Sequence, residues 1–366
     1  MTRTMNFNPG PACLPLPVLE EAQAEFTNFA GTGMSVLEVS HRSPEYDQVH
    51  QETQALMKEL LGVGDDYHVL FLGGGASTQF AMIPSNFLKQ GMTADYVNTG
   101  SWSKKAIKEG QIIGEHAGAK VNVAGTGEVD GKFVHIPRQD ELKLTDGAAY
   151  VHITSNNTIA GTQWHSFPEV GAPLIADMSS DILWRPFDAK KFAMIYAGAQ
   201  KNLGPSGVTV VVLRADMLER AQGGLPTMWT YGTHVEKSSL YNTPPCFPIY
   251  IVGKVLKWLK GKGGLAAMEK ENRNKAELLY STMDKHGGFF TSPVEKEARS
   301  YMNVVFRLPS EDLEKKFIAE GKERNMNGLK GHRSVGGIRF SIYNAISYEW
   351  VKAVADYMED FVKKNG

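Results

Sequence analysis

The sequence predicts an α/β protein, a large domain around a mostly parallel central sheet followed by a smaller C-terminal α+β domain. Seven short apolar runs alternate with helical stretches and tight loops, as buried strands with crossover connections do. Over about the last hundred residues the order changes to strand, helix, strand, helix. A chain of 366 residues also exceeds one small core, since domains typically take roughly 100–200 residues.

The elements follow in order. Pro9, Pro11, Pro15 and Pro17 predict an ordered, extended N-terminal arm over 1–17, expected to pack with the smaller domain. Apolar periodicity predicts helices over 18–29 and about 46–61. A strand over 67–72 runs straight into GGGAST and then a helix over 79–89. Runs at 95–99, 121–123, 149–153, 173–178, 193–196 and 208–213 read as further buried strands. After Pro244 and Pro245, a helical segment over 248–285 is bent or broken at 261–264. Strands over 302–307 and 337–343 lead to helices over 310–324 and 347–364. The boundary is expected near residue 260, dividing a large domain, 18–260, from a small one, 261–366.

Composition narrows the function. Lys plus Arg number 39 against 40 Asp plus Glu, a net charge of −1, which argues against a nucleic-acid or polybasic membrane surface. Cys13 and Cys246 are too few for a disulfide scaffold and fit a reducing compartment. No apolar run is long enough to span a bilayer, and the N-terminus lacks a signal-peptide pattern. A cytoplasmic protein acting on small molecules is expected.

Several residues carry chemistry. Lys201 lies in YAGAQKNLGPSG between two apolar strands, with small neighbours that let a flat ligand approach. An apolar surround disfavours the ammonium and makes such a lysine a Schiff-base nucleophile; a surface lysine on a loop is the plain alternative. Asp177 ends the apolar run PLIAD, at the strand end where parallel-sheet sites gather. A carboxylate there needs a positive partner, and a protonated pyridine nitrogen is one; a helix cap or metal ligand are others. No His/Asp/Glu cluster at metal-ligand spacing accompanies it. GGGAST, 73–78, follows a strand and opens a helix, so free amides can bind an anion. It lacks the Gly-Lys-Ser/Thr of a P-loop and the third glycine of a dinucleotide fingerprint. Trp102 stands just after a strand and either stacks on a ring or fills the core. The loop TSNNTIAGTQ offers hydrogen bonds to a ring hydroxyl, or is a satisfied turn. His41 with Arg42, His332 with Arg333, and Arg339 form cationic groups suited to a substrate with two or three negative charges. In the strand over 337–343, Ile338, Phe340 and Ile342 take one face and Arg339 the other.

Together NFNPGP, SHRS, GGGAS, NNTI, GAQKNLGP, YNTPP and HR…GIRFS resemble the phosphoserine aminotransferase family. That family sits within the class V, fold-type-I pyridoxal phosphate aminotransferases, and the resemblance spans nearly the whole chain. It implies pyridoxal phosphate as cofactor and a homodimer with shared sites. Lys201 is then the Schiff-base and proton-carrying residue, Asp177 the partner of the pyridine nitrogen, Trp102 the stacking ring and Thr158 the partner of the 3′ oxygen. Ala76, Ser77 and Gln200, with Asn242 and Thr243 of the neighbouring subunit, are implied for the cofactor phosphate. Arg339 is implied for the substrate α-carboxylate, and His41, Arg42, His332 and Arg333 for its distal anion.

The implied reaction is amino transfer between glutamate and 3-phosphohydroxypyruvate in serine biosynthesis, with 4-phosphohydroxythreonine formation in pyridoxine synthesis as a second use. A class V enzyme of other specificity is the near alternative. A desulfurase needs a reactive, exposed thiol, which neither Cys13 in the proline-rich arm nor Cys246 after Pro-Pro offers. A non-enzymatic α/β protein binding a phosphate or nucleotide through GGGAST is the alternative from another class.

Overall fold

A computed structural model describes residues 3–366. Its central feature is a seven-stranded sheet: β1 (Tyr67–Leu72), β2 (Thr93–Asn98), β3 (Lys120–Thr126), β4 (Val151–Thr154), β5 (Leu174–Asp177), β6 (Phe192–Gly198) and β7 (Thr209–Arg214). The spatial order is β1-β7-β6-β5-β4-β2-β3. Strands β6, β5, β4, β2 and β3 run parallel. Strand β7 alone is antiparallel, to both β6 and β1. The reason lies in the connection: a parallel return from β6 would need a crossover of a dozen or more residues, and the loop carrying Lys201 is too short.

Helices cover both faces, which is why β5 and β6 are buried along their whole length. The early helices are α1 (Leu16–Glu25), α2 (Pro44–Leu61), α3 (Gly75–Phe87) and α4 (Ser101–Ala117). Two long helices follow the sheet, α5 (Cys246–Gly261) and α6 (Gly264–Lys285). On one face Ile153, Ala176, Ile195 and Val210 pack with Leu56 and Met57 of α2 and Ile249 and Val252 of α5. On the other, Ile175, Met194 and Val211 pack with Phe80 and Ile83 of α3 and Ile107 of α4. Alternate strand residues thus serve opposite faces.

Helix α1 starts at Leu16 and stops at Glu25, so Pro17 belongs to a helix, not to the extended arm predicted through residue 17. In the first turn a proline gives up no helical hydrogen bond. Helix α3 starts earlier than predicted, inside the glycine run, because Gly74 at φ +87° turns the chain directly from strand to helix.

A second core forms around β8 (Asn303–Phe306), antiparallel to β9 (Ile338–Ser341). Phe290, Phe306, Phe340 and residues of α7 (Glu311–Glu323) and α8 (Tyr348–Asn365), notably Phe317 and Phe361, fill it. The N-terminal arm joins this core. Met5–Asn6 pairs in parallel with Met326–Asn327, and Phe7 meets Phe340 edge-on at 5.3 Å. Helix α6 spans both cores, with Met268 in the first and Ala276 in the second.

Lys275, on the same helix, is fully buried. Its Nζ donates to the carbonyls of Ile342 (3.1 Å), Tyr343 (2.8 Å) and Ile346 (2.9 Å), one for each ammonium hydrogen. Replacing it by methionine keeps the bulk and strands three carbonyls. Lys275→Met is expected to lose about 3 kcal/mol or more of stability, read from the urea midpoint; an unchanged midpoint would refute this account of the turn.

Candidate active site

The site lies at the carboxyl end of β5 and at the turn from β6 to β7. Asp177 closes β5 and is buried. The backbone N–H of Ser179 donates to its Oδ1 at 2.9 Å and the Ser179 hydroxyl at 2.6 Å. Among the described residues no donor reaches Oδ2. Burial pushes the Asp177 carboxyl up, against the pull of Lys201 and the two Ser179 bonds.

Lys201 follows β6 on the turn. Its Nζ stands 4.8 Å from the centre of the Trp102 ring. Burial pulls the amine down to about 8; Asp177 works against this, and the Arg339 charge works with it. The N-terminal arm roofs this turn: the Ala12 N–H donates to Gln200 O at 2.8 Å. A Cβ on Gly10 would come within 3.3 Å of the Lys201 side chain, so a glycine belongs there.

Trp102, in the first turn of α4, donates through Nε1 to Thr158 Oγ1 at 2.9 Å. Arg339 in β9 donates to the Thr158 carbonyl at 2.9 Å, and its Nε is buried without a partner. Thr158 therefore links the indole to the guanidinium. Ile338, Phe340 and Ile342 sit in the second core, leaving Arg339 on the opposite face as the alternation predicts.

Beside Arg339 opens a cavity of about 510 Å³ lined by His332, Ser334, Lys104, Arg307 and Phe133. His332 Nδ1 is 2.7 Å from Ser334 Oγ, and burial with the charges of Arg339, Arg333 and Lys105 pulls its imidazole down. Arg333 is exposed on the same loop. His41 and Arg42 stand elsewhere, just before α2, and do not line this cavity. His41 Nε2 is buried without a partner.

At the start of α3 the amides of Ala76 and Ser77 fall in the first turn, where no helical carbonyl precedes them. Asn242 and Thr243 line a separate cavity of about 360 Å³ with Gly73, Gly74 and Thr78 of the same chain.

These groups fit pyridoxal phosphate. A buried carboxylate with one oxygen unclaimed suits a ring N–H, a lysine of depressed basicity suits an aldehyde, and free helix amides suit a phosphate. The described residues contain no group of three or more His, Cys, Asp or Glu placed to hold a metal ion. None of their helices is long and apolar enough to cross a membrane.

Two supporting residues escaped the sequence reading. Ser179 orients Asp177, and Asp181 lies behind it, bonded by Ser155 and by Gln163 Nε2 at 3.1 Å and pushed up by burial to about 6. The run DMSSD held the only signal, a second acid one turn beyond the first.

The class-V aminotransferase family model matches residues 4–354. A phosphoserine aminotransferase of Desulfatibacillum aliphaticivorans is 58% identical over 366 residues, covering 100% of this chain and 99% of that protein. One of Bacillus subtilis is 51% identical over 365 residues, covering 100% of both. Among solved structures, the phosphoserine aminotransferase of Bacillus circulans subsp. alkalophilus superposes with a TM-score of 0.96 at 53% identity, over 100% of this chain and 99% of that one. The pyridoxal-phosphate-bound enzyme of Trichomonas vaginalis gives 0.93 at 41% identity, over 98% of this chain and 100% of that one. With a family model across nearly the whole chain and full-length relatives above half identity, the chain belongs to the class-V aminotransferases and, within them, to the phosphoserine aminotransferase family.

Proposed function

We propose that this chain is a pyridoxal phosphate enzyme that moves an amino group between glutamate and 3-phosphohydroxypyruvate. The products are 2-oxoglutarate and O-phosphoserine, the amino-transfer step of serine biosynthesis. The observation that carries this reading is the grouping of Asp177, Lys201 and Trp102 beside a cavity edged by Arg339 and His332.

Bound pyridoxal phosphate supplies an aldehyde carbon that takes up the amino group and a ring that spreads the electron pair left on the substrate Cα. Lys201 would hold that aldehyde, and its Nζ is the base that takes the proton from Cα, a task suited to an amine titrating near 8. Asp177 keeps a proton on the ring nitrogen through Oδ2, with Oδ1 tied by Ser179. Trp102 would cover the ring, and Thr158 Oγ1 would serve its hydroxyl oxygen. The amides of Ala76 and Ser77, with Gln200, would hold the phosphate, joined by Asn242 and Thr243 of the partner subunit.

Arg339 takes the α-carboxylate, its unpartnered Nε supplying a free donor. The distal anion falls to His332 and Arg333 with His41 and Arg42 of the partner subunit. One cationic site then serves both substrates, since a phosphate and a γ-carboxylate are anions at similar reach from Cα. A homodimer is supported by the absence of His41 and Arg42 from the lining of that cavity within one chain. It is supported too by the exposed apolar side chains of Leu16, Leu19, Phe26, Met34 and Leu37 around that segment, a surface that a second copy would cover.

Lys201→Ala should abolish transamination, with a loss of at least about 10²–10⁴ in rate from the proton transfer alone, while the far-ultraviolet spectrum stays unchanged. Near-normal turnover by the purified variant would defeat the assignment. In cofactor-free protein, reaction of Lys201 with an aldehyde reagent should rise as pH passes about 8, where the amine loses its proton. Asp177→Asn removes the negative charge that favours the ammonium, so its midpoint should move lower; a midpoint near the ordinary lysine value in both proteins would contradict this electrostatic account.

Truncating Arg42 or Arg333 to alanine should weaken phosphoserine and glutamate together by roughly ten- to a hundredfold, with the larger loss for phosphoserine. Arg339→Ala should depress every amino acid alike. Mixed dimers of Arg42→Ala and Lys201→Ala chains should regain one working site, and inactive verified heterodimers would break the shared-site arrangement.

A further inference from the structure

The motif GAQKNLGP and the stretch IYNA, which directly follows GIRFS, each hold an asparagine with no part in the chemistry above. Asn202 and Asn344 are nonetheless buried, and buried amides are kept only where they are hydrogen-bonded. The Asn344 N–H donates to Asn202 Oδ1 at 3.0 Å, and Asn344 Nδ2 donates to Leu183 O at 3.0 Å. Asn202 Nδ2 donates to Ile182 O at 2.6 Å. Asn272, fully buried on α6, donates to Asn344 Oδ1 at 2.8 Å and to Trp184 O at 3.1 Å. Lys275, close by on α6, grips the carbonyls of Ile342, Tyr343 and Ile346 on both sides of Asn344.

Four stretches of chain meet in this cluster: the turn beyond Asp177, the residue after Lys201, helix α6, and the segment leaving β9, the strand of Arg339. The two cores are also joined elsewhere. Asn156 Nδ2 donates to Asn303 Oδ1 at 2.7 Å, and Ser300 Oγ donates to Asn156 Oδ1 at 2.5 Å. Holding the cores together therefore does not require a bond at Asn202. What the Asn344–Asn202 bond adds is a fixed separation between the backbone that presents Lys201 and the strand that presents Arg339.

We propose that Asn202 is a positioning residue: by accepting from the backbone N–H of Asn344 it sets the Lys201 amine against the Arg339 guanidinium, so that a substrate held by its α-carboxylate presents Cα to Lys201. This rests on the function proposed above. Misplacement of a reacting group by an ångström costs up to about a hundredfold in rate without any loss of fold.

The test uses the full-length, cofactor-loaded protein with Asn202→Ala, which removes the acceptor, and Asn202→Asp, which keeps Oδ1 and gives up only the donor to Ile182 O. Activities are expressed per loaded site for phosphoserine and for glutamate. Binding of glutarate, which carries two carboxylates and no amino group, is measured by calorimetry. Asn202→Ala should lower kcat/KM about tenfold to a hundredfold, by the same factor for both substrates. Glutarate affinity should fall in step. Asn202→Asp should recover most of that loss, because its Oδ1 still accepts from the Asn344 backbone N–H. If Asn202→Ala does not fold, Asn202→Ser, whose shorter hydroxyl falls short of the Asn344 N–H, carries the same expectation. An Asn202→Ala protein that only melts earlier, with wild-type kcat/KM per loaded site and unchanged glutarate affinity, would overturn the positioning role. Wild type unable to exchange amino groups between phosphoserine and 2-oxoglutarate would overturn the proposed function and this inference with it. Active wild type with unaltered Asn202→Ala protein sinks this inference alone.

Discussion

The site depends on one electrostatic arrangement, a buried carboxylate at the end of β5 facing an amine on the next turn. Neither charge is comfortable alone. Burial raises Asp177 and lowers Lys201, and each partly restores the other's charge. The result is a carboxylate with one oxygen unclaimed and an amine pulled down to about 8. Both properties suit a bound pyridine ring, and both follow from placing the pair where water is scarce.

Topology makes that placement possible. Parallel strands bring the ends of β4, β5 and β6 to one edge, so the NNTI loop, Asp177 and Lys201 converge although they are far apart in the chain. The reversed strand β7 then lets a short loop carry Lys201, which limits its freedom to move. The N-terminal arm passes over this loop on its way from the second core, with Ala12 bonded to Gln200 and Phe7 packed on Phe340. The roof over Lys201 and the strand of Arg339 thus belong to one packed unit.

Much of this was legible from local sequence. Strand β1 appears at its predicted residues, and the other strands within a few, because runs such as LIAD and FAMIYAG are apolar on both faces. The bend between α5 and α6 falls in the glycine-rich stretch that predicted it. Helix starts were read less well. Pro17 and Gly74 look like breakers by composition, yet a proline costs nothing in a first turn, and a glycine just before a helix lets the chain enter it. Ser179 and Asp181 went unread because polar residues after a strand have many possible partners, and only the fold selects among them.

By itself the sequence determined the type and order of the elements and the residue types offered to the candidate site. Periodicity and residue type are local properties, and so is the small-residue setting around Lys201. The tertiary structure alone decided who touches whom: Thr158 joining Trp102 to Arg339, Asn344 bonded to Asn202, and Lys275 capping three carbonyls. These bonds close distances of tens to hundreds of residues along the chain. Their geometry comes from the packing of two cores against each other, and no local pattern records it.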